Sequence, residues 1–293
     1  MGFRTVKINN RCKLETSLGY LVCRSDTETR ILLDEINILI IENQQVCLTA
    51  ALLASLIEHK VRVVFCDSLH NPAGELMPYA SCFDSPAKIK KQLSWPDNGK
   101  DIVWRKIVKQ KILNQASVLK RAGKSESYSL LMRYYDEVTD GDKTNREGLA
   151  AKTYFSALFG NNFERRDDSI AVNKYLNYGY SLLLSSVNRA VSIYGYLPMV
   201  GIHHKGSQNP FNLGCDIVEP FRPFLDSMVI RTRLDDGNFK KELTKVLSNV
   251  VSYDGKNTIL DNAISFYVLD VLKAVECSDP SLIKELVEFN EQL

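Results

Sequence analysis

DSPAKIKKQ, residues 84–92, divides the chain into two parts of different character. Upstream of it lie short runs rich in Val, Ile, Leu and Tyr: RTVKI (4–8), GYLVCR (19–24), TRILLDEINILIIE (29–42) and VRVVFCD (61–67). Polar, Gly or Asn clusters separate these runs, which is the pattern of β-strands. One stretch, LTAALLASLIEH (48–59), repeats its apolar residues at helical spacing. NPAGE (71–75) reads as a turn leading into a last short strand, ELMPY (75–79). Within the dividing stretch, Ser85 is a helix N-cap and Pro86 occupies the first helical position. Downstream the reading is helical. DIVWRKIVKQKILNQASVLKRAG (101–123) places Ile102, Ile107, Ile112, Leu113 and Leu119 towards one side, lysines on the rest, and a stop at Gly123. SESYSLLMRYYDEV (125–138), REGLAAKTYFSALFG (146–160) and YLNYGYSLLLSSVNRAVSIYG (175–195) follow. FKKELTKVLSNVVS (239–252) and NTILDNAISFYVLDVLKAV (257–275) are read as further amphipathic segments. The expected fold is α+β. A small β-rich, sandwich-like domain with one helix spans residues 1–84, and a larger all-helical domain spans 85–293.

Composition narrows the function classes. The 293 residues are 45% hydrophobic and 25% charged, ordinary values for a globular protein. No run of eighteen apolar residues occurs, so no membrane span is expected. MGFRTVKINNRCKLETS has no apolar core of a secretory signal. Seven cysteines, an odd number without CxxC spacing, argue against a zinc ribbon or a disulfide framework and fit reduced thiols. Net charge is only +2, but eleven basic residues fall between Pro86 and Lys124, opposed by Asp97 and Asp101. This local excess suits phosphate contact, with a solvated helical face as the plain alternative. Trp95 and Trp104 lie in the same segment, available either to stack on bases or to anchor a core.

The stretch GIHHKGSQNPFNLGCDIVEPFRP (201–223) concentrates chemistry. It holds two of the four histidines, and His204 precedes Asp216 by twelve residues and Glu219 by fifteen. Three-residue spacing puts both carboxylates on one face of a helical turn. Pro220 and Pro223 require that turn to lie early in its helix. Imidazole with carboxylates suits Mn²⁺ or Mg²⁺ acting on phosphodiesters, and a loop histidine beside helix-capping carboxylates is the alternative. A second clue is NREGLAAKTYFSALFG (145–160), where Asn145 is a good N-cap and Ala150, Ala151, Tyr154 and Leu158 form an apolar stripe. Glu147 lies on the buried edge of that helix, where an unpaired charge is costly, and Gly148 leaves space beside it. The carboxylate needs either a metal shared with His204 and Glu219 or a salt bridge to Arg146, Lys152 or a distant Arg. His59 and His70 have no carboxylates at ligand spacing and are read as structural.

NREGLAAKTYFSALFG followed by GIHHKGSQNPFNLGCDIVEPFRP resembles the CRISPR-associated adaptation integrases, the Cas-one family. PAGELMPY, QLSW and QKILNQ extend the resemblance, which is strongest to the type II branch. It implies an N-terminal β domain that dimerises and a helical domain that carries the site. It implies Glu147, His204 and Glu219 as catalytic metal ligands for Mg²⁺ or Mn²⁺, with Asp216 as a supporting acid. It implies a homodimer and a heterohexamer-type complex with the small second adaptation protein of the Cas-two family, with other type II CRISPR proteins as further partners. Double-stranded DNA, as spacer precursor and repeat, is the implied substrate, and the bacterial cytoplasm the location. Arg146, Arg165, Arg166 and Lys205 are candidate DNA contacts around the site. Lys106 and Lys109, from the basic segment, and Arg222 complete that set. The reaction expected is strand transfer by the 3′-hydroxyl of spacer DNA. A metal-dependent nuclease on branched or single-stranded DNA, and a non-catalytic DNA-binding scaffold, are the alternatives.

Overall fold

The computed structural model describes residues 2, 4–68, 70–78, 82, 84–167, 169–232 and 234–288. Tyr79, at the end of ELMPY, lies outside them. The chain forms two compact units, residues 1–80 and 81–293, against the expected division after residue 84.

The first unit begins with β1 (Arg4–Ile8), β2 (Lys13–Ser17), β3 (Tyr20–Arg24) and β4 (Glu28–Leu32). β5 (Ile36–Ile41), β6 (Cys47–Leu48), helix α1 (Ala50–Glu58), β7 (Arg62–Cys66) and β8 (Pro72–Glu75) complete it. One sheet has the order β1-β5-β7-β8, with β1, β5 and β7 parallel. The other has the order β4-β3-β2-β6. TRILLDEINILIIE is therefore two strands rather than one. A 3-10 turn at Leu33–Glu35 breaks it, sending β4 into one sheet and β5 into the other. β5 is apolar at nearly every position because a central parallel strand is covered on both faces. Leu14, Leu21, Leu33, Leu39, Leu52, Leu56 and Val63 meet in the core of this unit. KLETS, which sequence reading passed over, pairs antiparallel with β3 as β2. The last strand falls on PAGE rather than on ELMPY, because residues 72–75 pair with β7.

The second unit opens with α2 (Ser85–Leu93), whose N-cap is Asp84, one residue before the predicted Ser85. α3 (Asp97–Arg121), α4 (Ser125–Glu137), α5 (Arg146–Phe159) and α6 (Ala171–Ile193) follow. α7 (Asn212–Val218) runs through a 3-10 turn, Glu219–Phe221, into α8 (Arg222–Arg231). α9 (Phe239–Leu243) and α10 (Leu260–Cys277) complete the helices named here. The unit is not wholly helical. FKKELTKVLSNVVS is helical only to Ser248, and its end becomes β9 (Val250–Tyr253). β9 lies between β10 (Lys256–Ile259) and β11 (Leu286–Glu288) in a three-stranded antiparallel sheet. A left-handed turn at Asp254 and Gly255 joins β9 to β10, the chemistry of a tight hairpin.

α3 is central to this unit. It packs against α4, α5, α8 and α10, and against the 3-10 turn that starts at Glu219. Val103, Trp104, Ile107, Val108, Ile112 and Leu119 are buried, but so are Gln110, Lys111, Asn114 and Gln115. The expectation of one apolar side with lysines on the rest fails here, because neighbouring elements cover the helix nearly all round.

Candidate active site

Glu147 is the second residue of α5, and its backbone is fixed by the helix start. Asp142 Oδ1 accepts from Arg146 N and Oδ2 from Glu147 N, both at 2.9 Å. Asn145 Oδ1 accepts from Gly148 N at 3.2 Å. These bonds occupy donors that a helix start otherwise leaves free. The space at Gly148 serves this cap rather than the carboxylate: a Cβ there would meet Asn145 Oδ1 at 2.6 Å. Ala150 and Tyr154, from the predicted stripe, are fully buried.

Glu147 and Glu219 meet at Lys111. The ammonium of Lys111 is ion-paired with Glu147 Oε1 and with Glu219 Oε2. Arg222 Nη2 holds the other oxygen of Glu219 at 3.0 Å. Lys111 and Glu219 are each only 5% exposed. Burial favours the neutral carboxyl of Glu219, but Arg222 and Lys111 outweigh it and hold its pKa below the usual range. Burial likewise favours neutral Lys111, and the charges of Glu219 and Glu147 outweigh it, raising its pKa. The group sets two carboxylates against two cations. Neither Arg146 nor Lys152 supplies the partner of Glu147. Arg146 turns instead to Glu137, at 3.2 Å.

The histidine loop is built around Asp216, which is completely buried. Its Oδ2 accepts from Ile202 N at 2.6 Å and from His203 N at 3.0 Å. Its Oδ1 accepts from His204 N at 3.0 Å and from His204 Nδ1 at 2.5 Å. A carboxylate can only accept, so Nδ1 carries the proton and Nε2 is left for a ligand. The hydrogen bond to Asp216 raises the His204 pKa; burial opposes it, and the charges of Asp216, Glu219 and Glu147 add to it. Asp216 thus orients the loop, with both oxygens engaged. Gly201 permits the wrap, since a Cβ there would strike His204 O at 2.4 Å and Asp216 Oδ2 at 2.8 Å. Asp216 lies in the last turn of α7, with the prolines in the following 3-10 turn and α8, not in an early helical turn as expected. Buried Trp104 stacks on His203, with ring centres 4.4 Å apart and planes within 3°, and meets His204 edge-on at 5.9 Å. Trp95 is also buried, so both tryptophans belong to the interior rather than to a base-stacking surface.

The chemistry of the donor set suits a hard divalent cation: two carboxylates converging on one point and an imidazole oriented from behind. Among the described residues, however, no three His, Cys, Asp or Glu side chains are gathered to hold a metal ion. The two glutamates are closed on Lys111 instead.

The other predicted residues are dispersed. Arg165 donates to Asn177 at 2.8 Å, and both it and Arg222 lie over the Tyr180 ring, at 5.1 Å and 4.8 Å. Arg166 and Lys205 are exposed. Lys106 is half-buried, and Lys109 covers the Tyr135 ring at 4.6 Å. Of the basic segment, Lys90, Lys91, Lys120, Arg121 and Lys124 face solvent, whereas Arg105 pairs with Asp140 at 2.7 Å. Asn212 is buried and braces the histidine loop by donating to Met199 O and Gly206 O. His59 and His70 bond to the carbonyls of Ser55 and Glu42, in keeping with structural roles. Sequence reading missed Lys111 and Asn114, which donates to Pro220 O at 2.8 Å and holds the Glu219 turn. The available signal was QKILNQ, whose uncharged polar residues at helical spacing are hard to place on a solvated face beside so many lysines.

Known proteins share this arrangement of elements. A CRISPR-associated endonuclease Cas1 from Neisseria meningitidis is 40% identical over 245 residues, covering 83% of this chain and 80% of that protein. A casposase bound to its integration product has the same fold, with a TM-score of 0.75 at 20% identity, covering 100% of this chain and 94% of that one. A Cas6-RT-Cas1–Cas2 complex aligns with a TM-score of 0.70 at 16% identity, over 99% of this chain and 36% of that one. The family described as CRISPR associated protein Cas1 matches residues 8–262, most of the sequence, and the chain belongs to that family.

Proposed function

We propose that this chain is a metal-dependent integrase of CRISPR adaptation. It joins the 3′-hydroxyl ends of new spacer DNA to the CRISPR repeat. The observation that carries this reading is the convergence of Glu147 and Glu219, from separate helical elements, on one buried cationic point. The endonuclease name of the Neisseria relative and the integration product held by the casposase support it.

In the reaction, the spacer 3′-oxygen forms a bond to phosphorus in the repeat. The phosphorus bond to the leaving 3′-oxygen breaks, and the proton of the attacking hydroxyl ends on the new 3′-hydroxyl. Glu147 and Glu219 are the carboxylates that would hold Mg²⁺ or Mn²⁺, with His204 Nε2 as the nitrogen donor. The bound cation supplies Lewis acidity to the phosphate and lowers the pKa of the attacking hydroxyl. Asp216 keeps the His204 proton on Nδ1 and so keeps Nε2 a donor of electrons. Arg222 balances Glu219 and lies against Tyr180, which fixes the guanidinium beside that carboxylate. The nucleophile comes from DNA, so no serine or cysteine nucleophile is required. Exposed Lys120, Arg166 and Lys205 are proposed contacts to the DNA backbone. The strand-rich first unit is the proposed homodimer surface. The proposed partner is the small Cas2-type protein, supported by the Cas1–Cas2 complex among the structural neighbours.

The test is strand transfer. The purified chain and its small partner are mixed with labelled 3′-hydroxyl DNA and a supercoiled plasmid carrying a repeat, with Mn²⁺, with EDTA, and with Glu219→Ala. Label is expected in the plasmid only with metal and intact Glu219. Cut plasmid without joined label identifies a nuclease. Intact DNA with binding retained identifies a scaffold.

A further inference from the structure

Lys111 occupies the point where the two active-site carboxylates meet, and nothing in the reading above gives it a role. Its surroundings are unusual for a lysine. It lies in the middle of α3, 5% exposed, with Gln110, Asn114 and Gln115 buried around it. Two glutamates brought together in such a place repel each other and lose hydration, so the pair is stable only with a cation between them. Arg222 reaches one oxygen of Glu219 and leaves the Glu147 side uncompensated. Lys111 supplies that charge, and its contacts to Glu147 and Glu219 draw the two carboxylates onto one point.

A lysine is well suited to such a post. Its charge is compact and sits on a flexible stem, so the ammonium can shift by a few bonds' rotation while its helix stays still. A divalent cation entering between Glu147 and Glu219 meets both a stronger attraction and a ligand geometry that an ammonium cannot satisfy. The displaced ammonium then has two sources of negative charge nearby, the carboxylate rims and the phosphodiester of bound DNA.

We propose that Lys111 is the built-in counter-ion of the metal site: it holds Glu147 and Glu219 together in the metal-free chain and is displaced by the entering divalent cation onto the phosphate undergoing strand transfer. The proposal rests on the metal-dependent reading above. It makes Lys111 a competitor of the metal and a helper of the reaction, two roles with opposite consequences on removal. A lysine that merely supports the fold has neither.

The experiment uses the full chain as wild type, Lys111→Met and Lys111→Gln. Mn²⁺ affinity is read by calorimetry, the Mn²⁺-induced rise in Tm by thermal unfolding, and the strand-transfer rate at saturating Mn²⁺ with the small partner and DNA. In both variants Mn²⁺ is expected to bind about tenfold more tightly, the size of a typical coupling between competing ligands. The Mn²⁺-induced rise in Tm is expected to exceed that of wild type. The maximal strand-transfer rate is expected to fall about 100-fold, the scale for losing one cation beside a developing charge. Unchanged or weaker Mn²⁺ affinity in the variants overturns the counter-ion role, and an undiminished rate at saturating Mn²⁺ overturns the phosphate role. Variants that neither fold alone nor recover in Mn²⁺ also overturn it, because the metal is expected to replace the missing charge. If wild type itself binds no Mn²⁺, the metal-dependent reading falls and the inference falls with it.

Discussion

The second unit holds two acidic sites, and they are built on opposite plans. Asp216 is met by three backbone N–H groups and one imidazole, all belonging to the histidine loop. Glu147 and Glu219 are met by side chains alone, the ammonium of Lys111 and the guanidinium of Arg222. Backbone donors cannot leave without unfolding the loop, whereas side-chain cations can turn away. The Asp216 site is therefore a scaffold, and the glutamate site is an exchangeable one. Both carboxylates of the Asp-x-x-Glu pair are buried, so burial alone does not separate them. What separates them is the kind of donor that compensates the charge.

The comparison can be broken at four places. The largest effect is expected at the exchangeable site. Glu147→Gln or Glu219→Gln keeps the shape and removes the charge, and should lower strand transfer by about a thousandfold or more, the scale for losing a metal-assisted step. Tm should fall as well, because buried Lys111 or Arg222 loses a partner, and strand transfer retained by a folded Glu219→Gln would erase the distinction between the two sites. Asp216→Ala should act the other way. It leaves three N–H groups without an acceptor and should cost about 3 kcal/mol of stability or more, measured by denaturant unfolding. Its activity loss should follow from the displaced His204, so Asp216→Asn, which keeps an accepting oxygen, should recover part of both.

A third buried acid sharpens the contrast through pH. Asp226 is buried, and burial raises its pKa to about 6, against the opposing influence of Tyr180, Tyr154, Arg222 and Arg165. Tyr180 Oη donates to Asp226 Oδ1 at 2.5 Å. Because the folded-state pKa lies above the ordinary 3.8, the folded chain binds this proton more tightly than the unfolded chain. The stability so gained is complete below 3.8 and is lost as pH rises through about 6. At about 1.4 kcal/mol per pKa unit, the difference reaches about 3 kcal/mol across that window. The stability difference between wild type and Asp226→Asn should therefore fall as pH rises between those limits, and a flat difference would show that Asp226 ionises as ordinary acids do. The smallest effect is expected at the stacked pair. His203→Ala should cost about 1 kcal/mol, the scale of an aromatic pair, with strand transfer reduced less than tenfold. A larger activity loss would place His203 in the chemistry rather than in the brace behind His204.

Much of this was written in the chain. Asn145 as a cap and the buried edge of REGLAAKTYF follow from local rules, because a cap and a 3.6-residue period depend only on neighbours in sequence. The histidine and acidic pair of GIHHKGSQNPFNLGCDIVEPFRP were recognisable as a site, yet the division of labour between Asp216 and Glu219 was not. It depends on which carboxylate the Gly201 turn wraps around, a matter of tertiary approach. The last strands escaped for a similar reason. VVSY and LVE become strands by pairing with each other across the length of α10, and short apolar runs carry no period strong enough to say so.

The amino-acid sequence by itself determined the two-part organisation, the helix carrying Glu147, the loop carrying His204 and the family to which they belong, since each rests on spacing along the chain. Only the tertiary structure decided that Lys111, one lysine among eleven basic residues in its segment, is the cation between the two glutamates. Charge patterning cannot tell an interior lysine from a solvated one. Burial is fixed by what packs over a helix, and α3 is covered by elements contributed from almost the whole of its unit.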